Sequence, residues 1–531
     1  VEDKSQDADS EKLALKRAIA TANEQITDIY EQVSKQSGKG QAAIFRAHLA
    51  LLNDSEIFQE VSTQIDAGHS AAWSWQQAIE RRALELKQIE NDRLAERAAD
   101  LHDIGQRVLR LLAGTEHGAP RLPDHPVILV ADDLTPSDTA QLDPKRILGL
   151  CTASGGPTAH TAIIARSLDI PCVVGTGAAV FEVKPETDCI LDGAAGKLYI
   201  EPNAEDIESA KSFQVDLENR RNEEYSTRYE PAVMTDGHRV EVAANIGKAA
   251  EAAAAVEAGA EGIGLMRTEF LFLDRETPPS EDEQFEAYAE MTRALNGLPL
   301  ILRTLDIGGD KIASYISLAK EENPFLGVRG IRLCLRQPGI FLPQLRAIYR
   351  ASTTGPVKIM FPMISTLEDL REAKQVAEDV RKELGVPPID IGIMVEVPST
   401  VLMAAELAKE VSFFSIGTND LTQYTLAMDR MHPALAKNVD GLHPAVLRMI
   451  DMTVRAASAA GKWVGVCGGV AGDPLGAAIL SGLGVAELSM SVPSVATVKS
   501  SLRKIKLSDA QNLARRALAC STASEVRQLT H

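Results

Sequence analysis

Beyond residue 231 the chain passes through eight short apolar runs, each followed by a helical pattern: VEVAANI, GIGLM, LILRTLD, VKIMFPM, IGIMVEV, FFSIGTND, WVGVCGG and VAELSMS. Alternation of this kind commits a chain to a parallel sheet covered by helices, because a parallel crossover needs a connection about as long as a helix. Eight repeats suit a closed (β/α)8 barrel over residues 232–531, with functional side chains gathered where strands end and loops begin. An open doubly wound sheet is the other arrangement that periodicity alone allows.

The preceding residues follow different rhythms. From about 10 to 115 they read as helices: Phe45, Leu49 and Leu52 share a face, and Leu101, Ile104, Val108 and Leu111 make a second stripe. Residues 1–118 are therefore expected to form a helical bundle. The turn formers of EHGAPRLPDHP end it, and residues 119–203 alternate short apolar runs with glycine-rich turns, the pattern of a compact α/β unit. Residues 204–231 are highly charged with sparse apolar positions, as in a solvated connecting helix.

Charge narrows the ligands. Lys and Arg total 55 against 74 acids, a net charge of −19, which repels nucleic acid and anionic membrane surfaces. An anionic ligand must meet a local group of arginines. No apolar run approaches the ~18–20 residues of a membrane span, and the acidic start VEDKSQDADS is unlike a signal peptide. The expectation is a soluble, cytoplasmic protein with no membrane insertion. Cys151, Cys172, Cys189, Cys334, Cys467 and Cys520 are scattered and read as reduced thiols. Val1 in place of Met points to a trimmed terminus or a piece of a longer polypeptide.

Three groups of residues carry chemistry. In GGPTAHTAIIARSLDIP, His160 follows a glycine-rich turn and precedes an apolar helical pattern, so it sits at a helix N-terminus. There, free N–H groups favour a phosphoryl group on the imidazole, with Thr158 and Thr161 as hydroxyl donors. A lone His in a turn is ordinarily a surface or cap residue; the full string reverses that. At the ends of the expected strands stand Arg267, Arg303, Lys311, Arg329, Arg332 and Arg430, a cradle for phosphate and carboxylate. The bland alternative makes the arginines ion-pair partners of Glu269, Asp306 and Asp429. Glu396 and Asp420, the latter beside Asn419, lie at the same level and are oxygen ligands of the kind Mg2+ takes, or else helix caps. Cys467 ends another strand among glycines, where its thiol can give a proton to carbon. Cys334 is expected to be buried, His432 and His443 to be structural, and His48 to lie on the bundle surface.

These strings, with GIGLMRTEFLFLDR, RTLDIGGDK, KEENPFLGVRGIR, VEVPST and VCGGVAGD, resemble enzyme I of the phosphoenolpyruvate-dependent sugar phosphotransferase system over essentially the whole chain. FRAHLALLNDSE is similar to its helical carrier-binding region. The resemblance implies that His160 takes the phosphoryl group of phosphoenolpyruvate, releasing pyruvate, and passes it to a histidine of the carrier HPr. It implies that Arg267, Arg303 and Arg430 hold phosphoenolpyruvate with Asn419 beside them, that Glu396 and Asp420 hold Mg2+, and that Cys467 protonates the enolate. It also implies a swivelling phosphohistidine domain carrying an inserted helical bundle that docks HPr, and a homodimer formed through the barrel.

The chain departs from that family in three places. The usual opening strand with an SPG-like turn is not matched: either that strand is lost, or the chain is one portion of a larger fusion in which HPr-like and IIA-like modules precede enzyme I. Ala159 stands where serine is common, and Gly469 where glutamate is common. Two rival readings fare worse. A pyruvate phosphate dikinase or phosphoenolpyruvate synthase needs a nucleotide loop, and none lies upstream of His160. A catalytically dead docking protein has no use for His160, Cys467, Glu396 and Asp420 together.

Overall fold

The computed structural model describes residues 3, 7–37, 39–87, 92–114, 123, 125–132, 134, 146–155, 161–162, 165, 170–273, 275–309, 313, 315–316, 321–432 and 434–529, with the side chains of 32–44, 87–99 and 437 left aside. They form two compact units, residues 1–214 and 215–531.

In the first unit, five helices run α1 (Ala8–Ser37), α2 (Lys39–Leu52), α3 (Ser55–Asp66), α4 (Ala71–Lys87) and α5 (Asp92–Leu112). Their apolar stripes meet in one core that includes Leu15, Ile26, Phe45, Val61, Trp75, Ile104 and Val108. The α4–α5 contact is close because Gly105 has no side chain: a Cβ there would lie 2.7 Å from Ile79, and the Trp75 indole donates to the Gly105 carbonyl at 3.2 Å. His48 is not on the surface. It is fully buried, edge-on to Phe45, with Nε2 3.2 Å from Asp100 and Nδ1 3.7 Å from Asp103. Three residues after Phe45, it shares that helix face, and its acidic partners come from α5, which the local pattern of α2 cannot reveal.

Next come the parallel strands β1 (Val127–Ala131), β2 (Ile147–Thr152) and β3 (Cys172–Val173), then the antiparallel hairpin β4 (Cys189–Asp192) and β5 (Lys197–Ile200). Asp192 closes that hairpin, its carboxylate accepting from the N–H groups of Ala194 and Ala195. Helix α6 (Ala204–Ser226) follows, and the division between the units falls within it.

In the second unit, β6 (Ala232–Val233) pairs antiparallel with β7 (Arg239–Ile246). The sheet continues through β8 (Ile263–Arg267), β9 (Leu300–Arg303), β10 (Val357–Phe361), β11 (Ile391–Val395), β12 (Phe413–Ile416), β13 (Trp463–Val466) and β14 (Glu487–Ser491). Each of the eight apolar runs is a strand. Strand β14 pairs parallel with β7, from Glu487 opposite Glu241 to Ser491 opposite Asn245, so the sheet closes into a barrel and is not an open one. Inside lie Leu265, Ile301, Met360, Met394, Phe413 and Cys467; a larger core joins the strands to the surrounding helices.

One helix shows how the sequence builds the outer layer. Residues Leu367–Leu384 open on a capping box, Thr366 with Asp369, bury Leu370, Ala373, Ala377 and Val380, and stop at Gly385 with φ 65°. The three-and-four spacing of the buried residues turns one face to the strands. After α6 the chain is fastened by the helix Val495–Leu502: the buried Lys499 ammonium donates to the carbonyls of Arg228 and Gly259, both at 2.8 Å, and Arg503 donates to those of Thr227 and Glu230. Among the described residues no helix is long and apolar enough to cross a membrane.

Candidate active site

In the second unit, Arg267, Arg303, Glu396, Asn419, Asp420 and Cys467 lie at the C-terminal ends of the barrel strands, whereas Arg332 donates to the Leu326 and Gly327 carbonyls and to the Ser365 hydroxyl. Arg267 and Arg303 are the last residues of β8 and β9; Glu396 and Cys467 directly follow β11 and β13. Asn419 and Asp420 lie in the first turn of the helix Thr418–Leu426, one residue beyond Gly417 after β12. Neither Glu396 nor Asp420 is a helix cap. A cleft of about 460 Å3 opens here, lined by Arg267, Asn419, Cys467 and the glycines 468, 469 and 472.

A charged cluster adjoins the cleft. Arg303 pairs with Glu269 and lies 3.2 Å from Asp306, all three buried. Arg329 grips Asp306 with two hydrogen bonds, of 3.2 and 2.9 Å, and reaches Asp420 and the Tyr424 hydroxyl, both at 3.3 Å. Arg430 lies 3.4 Å from Asp420, not beside Asp429. Arg303 and Arg329 each make ion pairs with carboxylates buried beside them, and Arg430 pairs with Asp420. Arg267, partly buried, has no carboxylate partner among the described residues. Burial opposes the charge of Arg303 and of Arg329, yet the surrounding carboxylates outweigh it and both guanidinium pKa values rise.

Glu396 is fully buried. Its Oε1 accepts from the Met363 N–H at 2.6 Å, and Met363 adopts a left-handed φ of 56°, which aims that N–H at the carboxylate. Its Oε2 has no hydrogen-bond partner. Burial first, then the charges of Asp306 and Asp420, push its pKa up to about 8. An orphaned, buried carboxylate oxygen among like charges fits a bound cation, so Glu396 with Asp420 is a chemically suitable donor pair for Mg2+.

Cys467 is buried at the inner wall of the cleft, its N–H donating to the Ile416 carbonyl at 3.0 Å. Burial pushes the thiol up to about 11, although Ser415 and the Arg303 charge act in the other direction. Near neutral pH the sulfur keeps its proton, the form a proton donor needs. The Gly469 N–H donates to the Asn419 side chain at 3.3 Å, and a Cβ at 469 would meet that oxygen at an ordinary 3.7 Å.

His160 and Lys311, with Ala159, lie outside the described residues. The neighbouring Thr161 is buried in a helical turn and donates to the Leu134 carbonyl at 3.1 Å. His432 and His443 accept backbone N–H groups of Ala434 and Ala445, and Cys334 is buried. Sequence reasoning passed over Tyr424 and Asn245. Tyr424, which donates to the Phe325 carbonyl, stands four residues after Asp420 on one helix face; Asn245 is a polar residue inside the apolar run VEVAANI. Both were visible signals.

Three family models match the chain. They are described as PEP-utilising enzyme, N-terminal (residues 1–97), PEP-utilising enzyme, mobile domain (123–196) and PEP-utilising enzyme, PEP-binding domain (221–507). The chain is 56% identical over 512 residues to a multiphosphoryl transfer protein of Rhodobacter capsulatus, covering 96% of this chain and 62% of the relative. It is 48% identical over 515 residues to a multiphosphoryl transfer protein of Xanthomonas campestris pv. campestris, with the same two coverages. It is 42% identical over 530 residues to the phosphoenolpyruvate-protein phosphotransferase of Staphylococcus carnosus, covering 98% of this chain and 92% of the relative. The chain thus spans 62% of the length of the multiphosphoryl transfer proteins it matches.

Proposed function

Since the chain belongs to the PEP-utilising enzymes, we propose that it transfers the phosphoryl group of phosphoenolpyruvate to His160 and then to a histidine of an HPr-type carrier, releasing pyruvate as the first step of sugar uptake. An imidazole nitrogen attacks phosphorus, the N–P bond forms, and the enol oxygen leaves with the electrons of the P–O bond. The Cys467 thiol gives its proton to the methylene carbon of the enolate, producing pyruvate, and the thiolate regains a proton from water in the cleft. Arg267, Arg303, Arg430, Arg329, Lys311 and Asn419 hold the phosphate and carboxylate. Glu396 and Asp420 would hold Mg2+, which would supply positive charge to stabilise the developing enolate.

The observation that carries this reading is the meeting of Arg267, Asn419 and Cys467 in one cleft at the barrel mouth: an anion anchor, an amide and a buried thiol. The helices of residues 1–118 supply the carrier surface in this reading. The exposed Leu402 and Met403 of the barrel unit are side chains that a second copy would cover in a cytoplasmic homodimer.

Incubation with 32P-labelled phosphoenolpyruvate and Mg2+ tests the reading. Acid-labile label is expected on the native chain, lost in His160→Ala and on chelation of the metal. Label that survives His160→Ala defeats the assignment. Cys467→Ala is expected to slow pyruvate formation far more than it weakens substrate binding; equal losses in both would make the thiol a structural residue.

A further inference from the structure

Asn245 is the penultimate residue of β7, and the β7–β8 register shifts between Ala244 and Asn245. Its side chain lines the same cleft as Cys467. Both hydrogens of its amide nitrogen are used. The amide nitrogen donates to the Cys467 carbonyl at 3.0 Å and to the Ser489 carbonyl at 3.3 Å, while the amide oxygen accepts from the Ser489 hydroxyl at 2.6 Å. The Cys467 and Ser489 carbonyls can only accept, so they fix which way the amide faces, and the fully buried Ser489 hydroxyl donates to its oxygen.

The Cys467 peptide is consequently held from both sides. Its N–H is bound to the Ile416 carbonyl of β12, and its carbonyl to the Asn245 amide of β7, on the far side of β13 and β14. With both peptide groups fixed, the Cα–Cβ bond is aimed, and the thiol's own contact with the Ile416 carbonyl, at 3.6 Å, places the sulfur about it. Glycines at 468 and 469 follow immediately, and neither offers a side chain to pack the segment in place.

We propose that Asn245, locked by Ser489, is a positioning residue for the Cys467 thiol in proton transfer to and from the substrate carbon. The inference rests on the reading of Cys467 as the proton donor. Proton transfer to carbon demands close alignment, and about 1 Å of displacement costs on the order of a hundredfold in rate. The aligned sulfur matters little to substrate binding, which falls to the arginines.

Exchange of the methyl hydrogens of pyruvate with D2O isolates this step from phosphoryl transfer. The thiolate removes a methyl proton, leaving its electron pair in the enolate, and the thiol, re-equilibrated with solvent, returns a deuteron to the same carbon. The full chain is assayed with Mg2+ and pyruvate by NMR, alongside its thermal unfolding midpoint. Asn245→Asp keeps the shape but replaces the donor with an oxygen. It is expected to lower kcat for exchange by roughly a hundredfold with KM for pyruvate within about twofold. Ser489→Ala, which removes the hydrogen bond to the amide oxygen, is expected to lose about tenfold, with recovery in Ser489→Thr. Exchange at the native rate in Asn245→Asp, or a rise in KM matching the fall in kcat, overturns the positioning role. Failure of Cys467→Ala to lose exchange overturns the reading of the thiol itself, a separate outcome seen in a separate variant.

Discussion

Glu487 begins β14 fully buried, with its Oε1 lacking a hydrogen-bond partner and Glu241 opposite it in the strand register. Gly264 and Gly465 make room for it: a Cβ on Gly264 would lie 2.6 Å from that oxygen. Burial, then the charge of Glu241, push its pKa from 4.5 up to about 8, while Lys358 pulls the other way. The folded state therefore holds the proton more tightly than the unfolded chain. Its contribution to stability is fullest below about pH 4.5 and erodes as pH rises toward 8. Glu487→Gln should flatten that decline and raise the unfolding midpoint of the barrel at pH 8 relative to the native chain, read by thermal melts at pH 5 and 8. An unchanged slope would mean Glu487 is ionised in the fold. Glu269→Gln should destabilise by an amount near the lower end of the roughly 3–5 kcal/mol that follows loss of a buried partner, since Asp306 still faces Arg303; denaturant titration measures it. The sequence marked Arg303, Arg329, Glu269 and Asp420 as charged groups at strand ends. It could not show which arginines are committed to carboxylates and which remain open, because Arg303 meets Glu269, and Arg329 meets Asp420, only through the barrel's curvature.

Among the elements, the strands were the most legible, since a run such as VKIMFPM carries its burial in its own composition. Closure was expected from the count of eight repeats, although no local feature marks it, because the pairing of β14 with β7 joins segments nearly half the chain apart. The burial of His48 was missed for the same reason: its partners belong to another helix. The fastening after α6 shows how much a single position can decide. Gly259 has φ 87°, and a Cβ there would stand 2.1 Å from the Arg228 carbonyl oxygen, the same carbonyl that Lys499 binds. Gly259→Ala is expected to cost more than about 2 kcal/mol and to expose the segment 226–230 to proteolysis. Native-like resistance to protease would show that the backbone yields there without loss. By contrast Asp473→Ala, which removes the N-cap of the helix Pro474–Leu483, should cost only about 1 kcal/mol.

At the scale of the molecule, the barrel core extends from Ala232 to Val526, within the second unit. Residues 215–531 alone are expected to fold and to catalyse methyl exchange on pyruvate, yet to take no label from phosphoenolpyruvate; label on that fragment would remove the need for His160. Deleting residues 1–115 should abolish transfer to an HPr-type carrier while self-phosphorylation persists, and retained transfer would end the docking assignment. The seam between β14 and β7 has a further consequence during synthesis. A ribosome must deliver Ser491 before the strand that began at Arg239 gains its last neighbour, so for most of translation of this unit the nascent barrel is an open sheet with two unpaired edges. Slowing elongation across residues 239–491 should therefore lengthen the time those edges are exposed and increase the demand for chaperones, a cost met afresh with each copy made.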